Sequence, residues 1–175
     1  ILLFEPQQKE LKQHVKLAAD RLLEWMKPNG QWEVAYENKT LKPTFTDITD
    51  LRPTFYGLLI AYEILKDKKY LQAAIQGADW YVENAVKKGY FLGVCGDTRF
   101  VPDFATAQSV QALLELYNVT GNEKYKEAAI SAAKIYTASV YTHPIPTSVV
   151  KQVKGVERKD WEISQVGLSF EHGGV

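Results

Sequence analysis

The sequence predicts an all-α fold built from repeated helical hairpins. A hairpin at 55–86 recurs at 106–141, and the second helices of the two copies align without a gap, so that Tyr70 matches Tyr125 at an offset of 55 positions. A fixed period indicates a stacked or circular array of one structural unit. Helices that are apolar nearly all round also alternate with amphipathic helices, which indicates an inner and an outer layer.

Helical periodicity and end signals place five helices along the chain. The first begins near Pro6, which suits a first helical turn, and ends before the Pro-Asn-Gly sequence at 28–30. Asp50 and Asp103 stand where N-cap residues are expected for the second and fourth helices. The predicted bounds are about 6–26, 51–65, 70–86, 104–117 and 123–140, with a further helical start at 160–170.

The second and fourth helices are apolar on most sides, so we expect them to lie inside and the other three to lie outside. Residues 55–65 should then be far more buried than residues 70–86. Connections from inner to outer helices are short, at 66–69 and 118–122. Connections from outer to inner helices are long, at about 27–49, 87–102 and 142–159.

In antiparallel hairpins, connections of one kind all fall at one end. The long loops should therefore share a face with the N-termini of the inner helices. Long loops in compact domains are uncommon and tend to carry function, so we expect the functional site on this face.

Composition excludes several classes of protein. Lysine plus arginine and aspartate plus glutamate both number 21, so no excess of positive charge points to nucleic acid. No apolar run approaches the ~20 residues that span a bilayer. The single cysteine, Cys95, excludes an intrachain disulfide and a cysteine metal cluster. We expect no cofactor, no metal, no nucleic-acid partner and no membrane span. We also expect a bacterial periplasmic or extracellular location, although a lone cysteine fits the cytoplasm equally well.

The hairpin texts LLIAYEILKDKKYLQAAIQGADWYV and LLELYNVTGNEKYKEAAISAAKIY, together with DRLLEWMKPNGQW, resemble the (α/α)-toroid, or six-hairpin glycosidase-like, superfamily. The resemblance covers about residues 10–141. It implies a carbohydrate-active enzyme, because its members include glycoside hydrolases, unsaturated glucuronyl hydrolases, sugar epimerases and the toroid domains of polysaccharide lyases.

A full toroid of that superfamily has twelve helices, and this chain supplies five, or six with the segment at 160–170. The resemblance therefore implies an incomplete portion of an (α/α)6 barrel. Residues 1–175 would form a single hairpin-toroid domain that is the N-terminal part of a larger one. An incomplete ring leaves apolar faces of the inner helices uncovered, and self-association would cover them.

The expected site combines acidic side chains with groups that bind sugar. Glycoside hydrolysis needs two carboxyl groups, or one that activates water beside the leaving group. Acidic residues at the start of inner helices are common in six-hairpin hydrolases, and Asp50 and Asp103 match that placement at positions that we interpret as equivalent in the two repeats. The candidate catalytic residues are Asp97, Asp103, Asp50, Glu171 and His172. The first pair is Asp97 with Asp103, since they flank one loop. The candidate substrate-binding residues are Arg52, Arg99, Trp161 and Tyr56.

Structural roles compete with these assignments. Aspartate is a favoured N-cap, so Asp50 and Asp103 could simply begin their helices. Asp97 could pair with Arg99 in a turn, and Arg52 could pair with Asp50 instead of binding a substrate carboxylate. Three functions stay open: a glycoside hydrolase acting on an oligosaccharide or polysaccharide, a polysaccharide lyase acting on uronic-acid glycans, and a non-catalytic helical scaffold or glycan-binding module. The hydrolase is favoured through the resemblance.

Overall fold

Five α-helices dominate the computed structural model, which describes residues 2, 5–93, 100, 102–140, 150–159 and 162. They are α1 (Lys9–Trp25), α2 (Phe55–Leu65), α3 (Lys68–Tyr81), α4 (Phe104–Thr120) and α5 (Glu123–Ser139), and a π-helical turn at Val82–Val86 continues α3. The strands form two short antiparallel hairpins, β1 (Ala35–Tyr36) with β2 (Pro43–Thr44) and β3 (Val150–Val153) with β4 (Val156–Lys159). Both lie outside the repeated hairpins. The predicted all-α hairpin fold is confirmed. Of the predicted helical start at 160–170, only residue 162 is among those described.

The starts of α2 and α4 differ. Asp103 is the N-cap of α4 and forms a capping box with Thr106, as the sequence predicts. The same prediction for Asp50 is wrong, because α2 begins four residues later, after Thr54. Pro53 explains the delay, since the residue before a proline is driven out of the helical region.

The expected contrast in burial between α2 and α3 is also wrong. α2 buries Phe55, Leu58, Leu59 and Ala61, whereas α3 and its π-helical turn bury Tyr70, Ala73, Ala74, Gly77, Ala78, Tyr81, Val82, Ala85 and Val86. α3 is rich in alanine and glycine, so it approaches α2 on one side while its π-helical turn contacts α5 on the other. α2 packs closely on α1 and α3 but only lightly on α4. Its high hydropathy therefore does not translate into high burial.

The outer helices are joined by a contact that repeats along the array. In each copy, one aspartate of the preceding outer helix accepts a hydrogen bond from a tyrosine hydroxyl and forms an ion pair with the ammonium group of the lysine before it. We call each of these contacts a clasp. The partners are Asp20 with Tyr70 (2.8 Å) and Lys69 (2.7 Å), and Asp79 with Tyr125 (2.6 Å) and Lys124 (2.6 Å). The internal repeat is therefore one of specific contacts as well as of apolar pattern.

Both inner-to-outer connections are tight, and each is closed by a left-handed residue, Lys66 (φ 60°) or Gly121 (φ 70°). The first two long loops meet each other at the opposite end. The amide of Leu92 donates to the carbonyl of Leu51 (3.4 Å), which joins the second long loop to the first. This end of the molecule holds the starts of α2 and α4. In the part of the chain that the structure describes, no helix has both the length and the apolar character needed to span a membrane.

Candidate active site

Asp50 lies in the turn before α2 with its side chain almost entirely buried. Its Oδ1 accepts from Nε of Arg52 (2.6 Å) and from the Arg52 amide (3.3 Å), and its Oδ2 accepts from the Thr54 hydroxyl (3.1 Å). Burial raises the pKa of Asp50, although Arg52 and Thr54 oppose the shift by stabilising the charged form. Asp50 is thus an acid held in place from both oxygens.

Arg52 is held by the same turn. Besides pairing with Asp50, it donates from Nη2 to the carbonyl of Val34 (2.7 Å). The local ion pair that competed with substrate binding in the sequence interpretation is therefore present. Nη1 nevertheless has no hydrogen-bond partner among the described residues, and 27% of the side chain is exposed.

Asp103 is the second buried carboxylate. Its Oδ1 accepts from the amide of Ala105 (2.8 Å), and its own amide donates to the hydroxyl of Thr106 (3.3 Å). Within the described residues, the buried polar or charged side chains outside the apolar core are Asp50, Asp103, Thr106 and Ser109. All four belong to the starts of α2 and α4.

Two of the concavities at this end are lined by candidate site residues. One, of about 320 Å³, lies between the starts of α2 and α4 and is lined by Arg52, Pro53, Thr54, Ala105 and Gln108. We call it the helix-start cavity. The other, of about 300 Å³, has walls that include Trp25, Trp32, Tyr36, Asp50 and Arg52. We call it the aromatic cleft. Arg52 and Thr54 line both concavities, so the two lie next to each other.

The aromatic cleft contains functional candidates that the sequence did not identify. Trp25 and Tyr36 stack with ring centroids 4.2 Å apart, and Arg21 lies 5.5 Å from the centre of the Trp25 ring. Trp32 is buried and donates from Nε1 to the carbonyl of Leu22 (2.8 Å). Trp25 fits the apolar periodicity of α1, and no local pattern predicts its pairing with the β1 strand. The abundance of aromatic residues was the only signal.

Tyr56, a candidate substrate-binding residue, lies in the first turn of α2 and contacts α4. Its hydroxyl donates to Glu115 of α4 (2.9 Å), which also accepts from Gln111 (2.8 Å). Burial and the Glu115 carboxylate together raise the pKa of Tyr56. Tyr56 thus links α2 to α4 and is not among the residues that line either concavity.

The remaining predicted residues lie outside the described part of the chain: Asp97, Arg99, Trp161, Glu171 and His172. Their assignments stay predictions. Among the described residues, no group of three or more histidine, cysteine, aspartate and glutamate side chains could hold a metal ion.

Comparison with known protein families finds a match over more than half of the chain. The family model described as Glycosyl Hydrolase Family 88 matches residues 52–159. This range begins at Arg52, includes Asp103 and both copies of the repeated hairpin, and starts two residues after Asp50. No curated protein and no solved structure matches the chain significantly.

Proposed function

Because the chain belongs to glycosyl hydrolase family 88, a family of the six-hairpin glycosidase-like superfamily, we propose that it hydrolyses a glycosidic bond by acid–base catalysis with Asp50 and Asp103. Family membership supports glycosidase-type function. One observation carries the choice of residues: the two buried carboxylates of the described chain lie in the segments that lead into α2 and α4, and residues close to each of them in sequence line the helix-start cavity.

The two carboxylates differ in a way that suits two roles. A general acid must hold its proton until the leaving oxygen needs it, and a buried carboxyl group with a raised pKa does so. Asp50 meets this condition and is assigned to protonate the leaving oxygen. Asp103 lies at a helix N-terminus, where negative charge is stabilised, and is assigned to activate water. In this proposal Asp50 is the partner of Asp103, in place of Asp97, which lies outside the described residues.

The substrate we propose is an oligosaccharide or polysaccharide fragment that carries a carboxylate. Flat faces of sugar rings pack well on aromatic side chains, and the stacked pair of Trp25 and Tyr36 lies in the cleft beside Asp50. Nη1 of Arg52 is positioned to bind a carboxylate, since its other two nitrogens already hold the side chain in place. A uronic acid unit would satisfy both features.

Asparagine substitutions separate catalysis from structure at both positions. Asparagine caps a helix about as well as aspartate, so Asp103→Asn keeps the start of α4, and Asp50→Asn keeps an acceptor for Arg52. In the natural full-length protein, each variant should lose about 10²–10⁴-fold in turnover while its thermal unfolding changes little. The matched control is Asp79→Asn, which removes a carboxylate from an outer clasp and should leave turnover unchanged.

The assay uses neutral and uronate-containing oligosaccharides, with products identified by mass spectrometry. Normal turnover by Asp103→Asn would show that Asp103 only caps its helix. Unsaturated products from the wild-type protein would move the assignment to a lyase. Wild-type inactivity on every sugar, together with no binding by calorimetry, would favour the scaffold function.

A further inference from the structure

A further concavity, of about 240 Å³, lies beside a stacked pair of aromatic side chains that the proposed hydrolysis does not use. The rings of Tyr90 and Phe100 have centroids 4.2 Å apart and planes inclined by 14°, and both side chains line the concavity together with the buried Leu51. Tyr90 nevertheless remains 48% exposed. A supported, half-exposed aromatic side chain is a platform on which a flat ligand can pack. We call this concavity the tyrosine pocket.

The polar side chains of the tyrosine pocket come from two segments of the chain. Asp47 and Thr49 belong to the first long loop, and both are exposed and have no hydrogen-bond partner among the described residues. Asn84 and Lys88 belong to the π-helical turn and the residues that follow it. Lys88 donates from Nζ to Oδ1 of Asn84 (3.1 Å), whose amide nitrogen donates to the carbonyl of Trp80 (2.9 Å). An ammonium group has three hydrogens, so Lys88 has further donors for a ligand.

Together these groups offer both donors and acceptors without a net charge. The carboxylate of Asp47 only accepts, the ammonium group of Lys88 only donates, and the hydroxyl groups of Thr49 and Tyr90 can do both. Since one negative and one positive charge are present, the pocket has no preference for a phosphate or carboxylate ion. The ligand that suits it is neutral, has a flat face for the Tyr90 ring and carries several hydroxyl groups at its edge. A neutral sugar ring has all three properties.

The tyrosine pocket and the aromatic cleft are separated by a single segment of backbone. Asp47, Thr49 and Leu51 line the tyrosine pocket, whereas residues that alternate with them, at 50, 52 and 54, line the aromatic cleft. The segment 47–54 therefore contributes to both. A glycan chain that lies in the aromatic cleft beside Asp50 has only this segment to cross before it reaches Tyr90.

We propose that the tyrosine pocket is a second glycan-binding site, which holds one neutral sugar unit of a polysaccharide away from the bond that is cut. Its volume is below the range of about 300–1,000 Å³ that holds a drug-sized ligand, which suits a single sugar unit. Tyr90 packs on the face of the sugar ring, Asp47 accepts from its hydroxyl groups and Lys88 donates to them. Because a chain held at one site binds the second intramolecularly, the protein favours long glycans over short ones.

The experiment measures binding to four neutral polysaccharides, a β-glucan, a galactomannan, a galactan and a xyloglucan, by affinity gel electrophoresis. The parent is the natural full-length protein with Asp50→Asn and Asp103→Asn, so that no polymer is cut. Tyr90→Ala should weaken binding to at least one of these polymers about 10-fold through lost stacking, and Asp47→Ala about 10-fold through lost hydrogen bonds. The matched control is Phe45→Ala, which removes an equally exposed aromatic side chain (49%) outside the pocket and should leave binding unchanged.

Binding as tight in Tyr90→Ala and Asp47→Ala as in the parent would overturn the proposal, and so would a parent protein that retains none of the four polymers. If Tyr90→Ala lowers the unfolding temperature, Asp47→Ala decides, because the Asp47 side chain is exposed and has no partner to lose among the described residues.

The second site does not depend on the proposed hydrolysis, and kinetics separate the two. In the protein with both aspartates intact, Tyr90→Ala should raise KM for a polymer, with kcat and the KM for a short oligosaccharide unchanged. Binding that depends on Tyr90 in a protein inactive on every sugar would support the second site and refute the hydrolysis. Hydrolysis together with binding that is insensitive to Tyr90 would refute the second site alone.

Discussion

Gly77 is a position where adding a single methyl group should have a large effect on packing. It lies inside α3, and a Cβ added there would stand 2.7 Å from Cη2 and Cζ3 of Trp32 and 3.0 Å from Cβ of Phe55. Trp32 cannot easily move, because it is buried and its Nε1 is bonded to the carbonyl of Leu22. The close approach of α3 to the first long loop therefore requires glycine at this position.

Two opposing effects set the magnitude for Gly77→Ala. Alanine is favoured over glycine inside a helix by about 1 kcal/mol. Forcing a methyl group into a filled core costs about 1–3 kcal/mol. We therefore expect Gly77→Ala to be neutral or destabilising by up to about 2 kcal/mol, in spite of its better helix propensity.

The matched control is Gly57→Ala, in the first turn of α2. An added Cβ there meets only Cδ1 of Leu22 at 3.0 Å, the end of a flexible side chain that can turn away. This variant should keep most of the gain in helix propensity. The unfolding free energies of the two variants, from urea denaturation followed by circular dichroism, should differ by about 1–3 kcal/mol. A Gly77→Ala protein as stable as Gly57→Ala would refute the assigned packing of Trp32 on α3.

Two further predictions concern the outer clasps. Tyr125→Phe removes the hydroxyl that donates to Asp79 and should lower the unfolding free energy by about 1 kcal/mol, measured in urea, and an unaltered midpoint would contradict the role of the clasp. In the first clasp, hydrogen bonds from Lys16, Lys69 and Tyr70 hold the pKa of Asp20 far below its usual value. The stability that this carboxylate adds is therefore present above about pH 4 and is lost as the pH falls further, so the wild-type protein should lose more stability than Asp20→Asn between about pH 4 and pH 2. Parallel pH profiles for the two proteins would contradict this coupling.

The sequence predicts the helices well because their signals are local. Apolar periodicity locates all five, and the capping residue Asp103 marks the start of α4 to the residue. The predicted start of α2 is wrong. Asp50 is a favourable cap residue, but Pro53 follows it too closely for the helix to begin there. Burial was misjudged for a different reason. Hydropathy reports how apolar a helix is, whereas burial depends on which neighbours cover it, and this information is not local.

The candidate site was predictable only where it depends on the chain nearby. The ion pair of Asp50 with Arg52 spans two positions and was foreseen as an alternative. The placement of Trp25 against Tyr36 depends on contacts between distant segments. Tyr81 matches Tyr136 in the repeat and fits the apolar face of α3, so its sequence position indicates core packing, and the structure buries its side chain.

The two repeats diverge at the end where the site is proposed. At the offset of 55 positions, Leu58 matches Leu113 and Tyr62 matches Tyr117, so the inner helices correspond in register. α4 has 17 residues and α2 has 11, and the six extra residues of α4 match the non-helical segment 49–54. The interpretation of Asp50 and Asp103 as equivalent is therefore wrong, because Asp50 corresponds to a position inside the first turn of α4. In the first copy the corresponding turn is not helical. Asp50 therefore does not cap a helix and instead bonds to Arg52 and Thr54. The array keeps its repeat where helices pack on each other, and it departs from the repeat at the two carboxylates that we propose as acid and base.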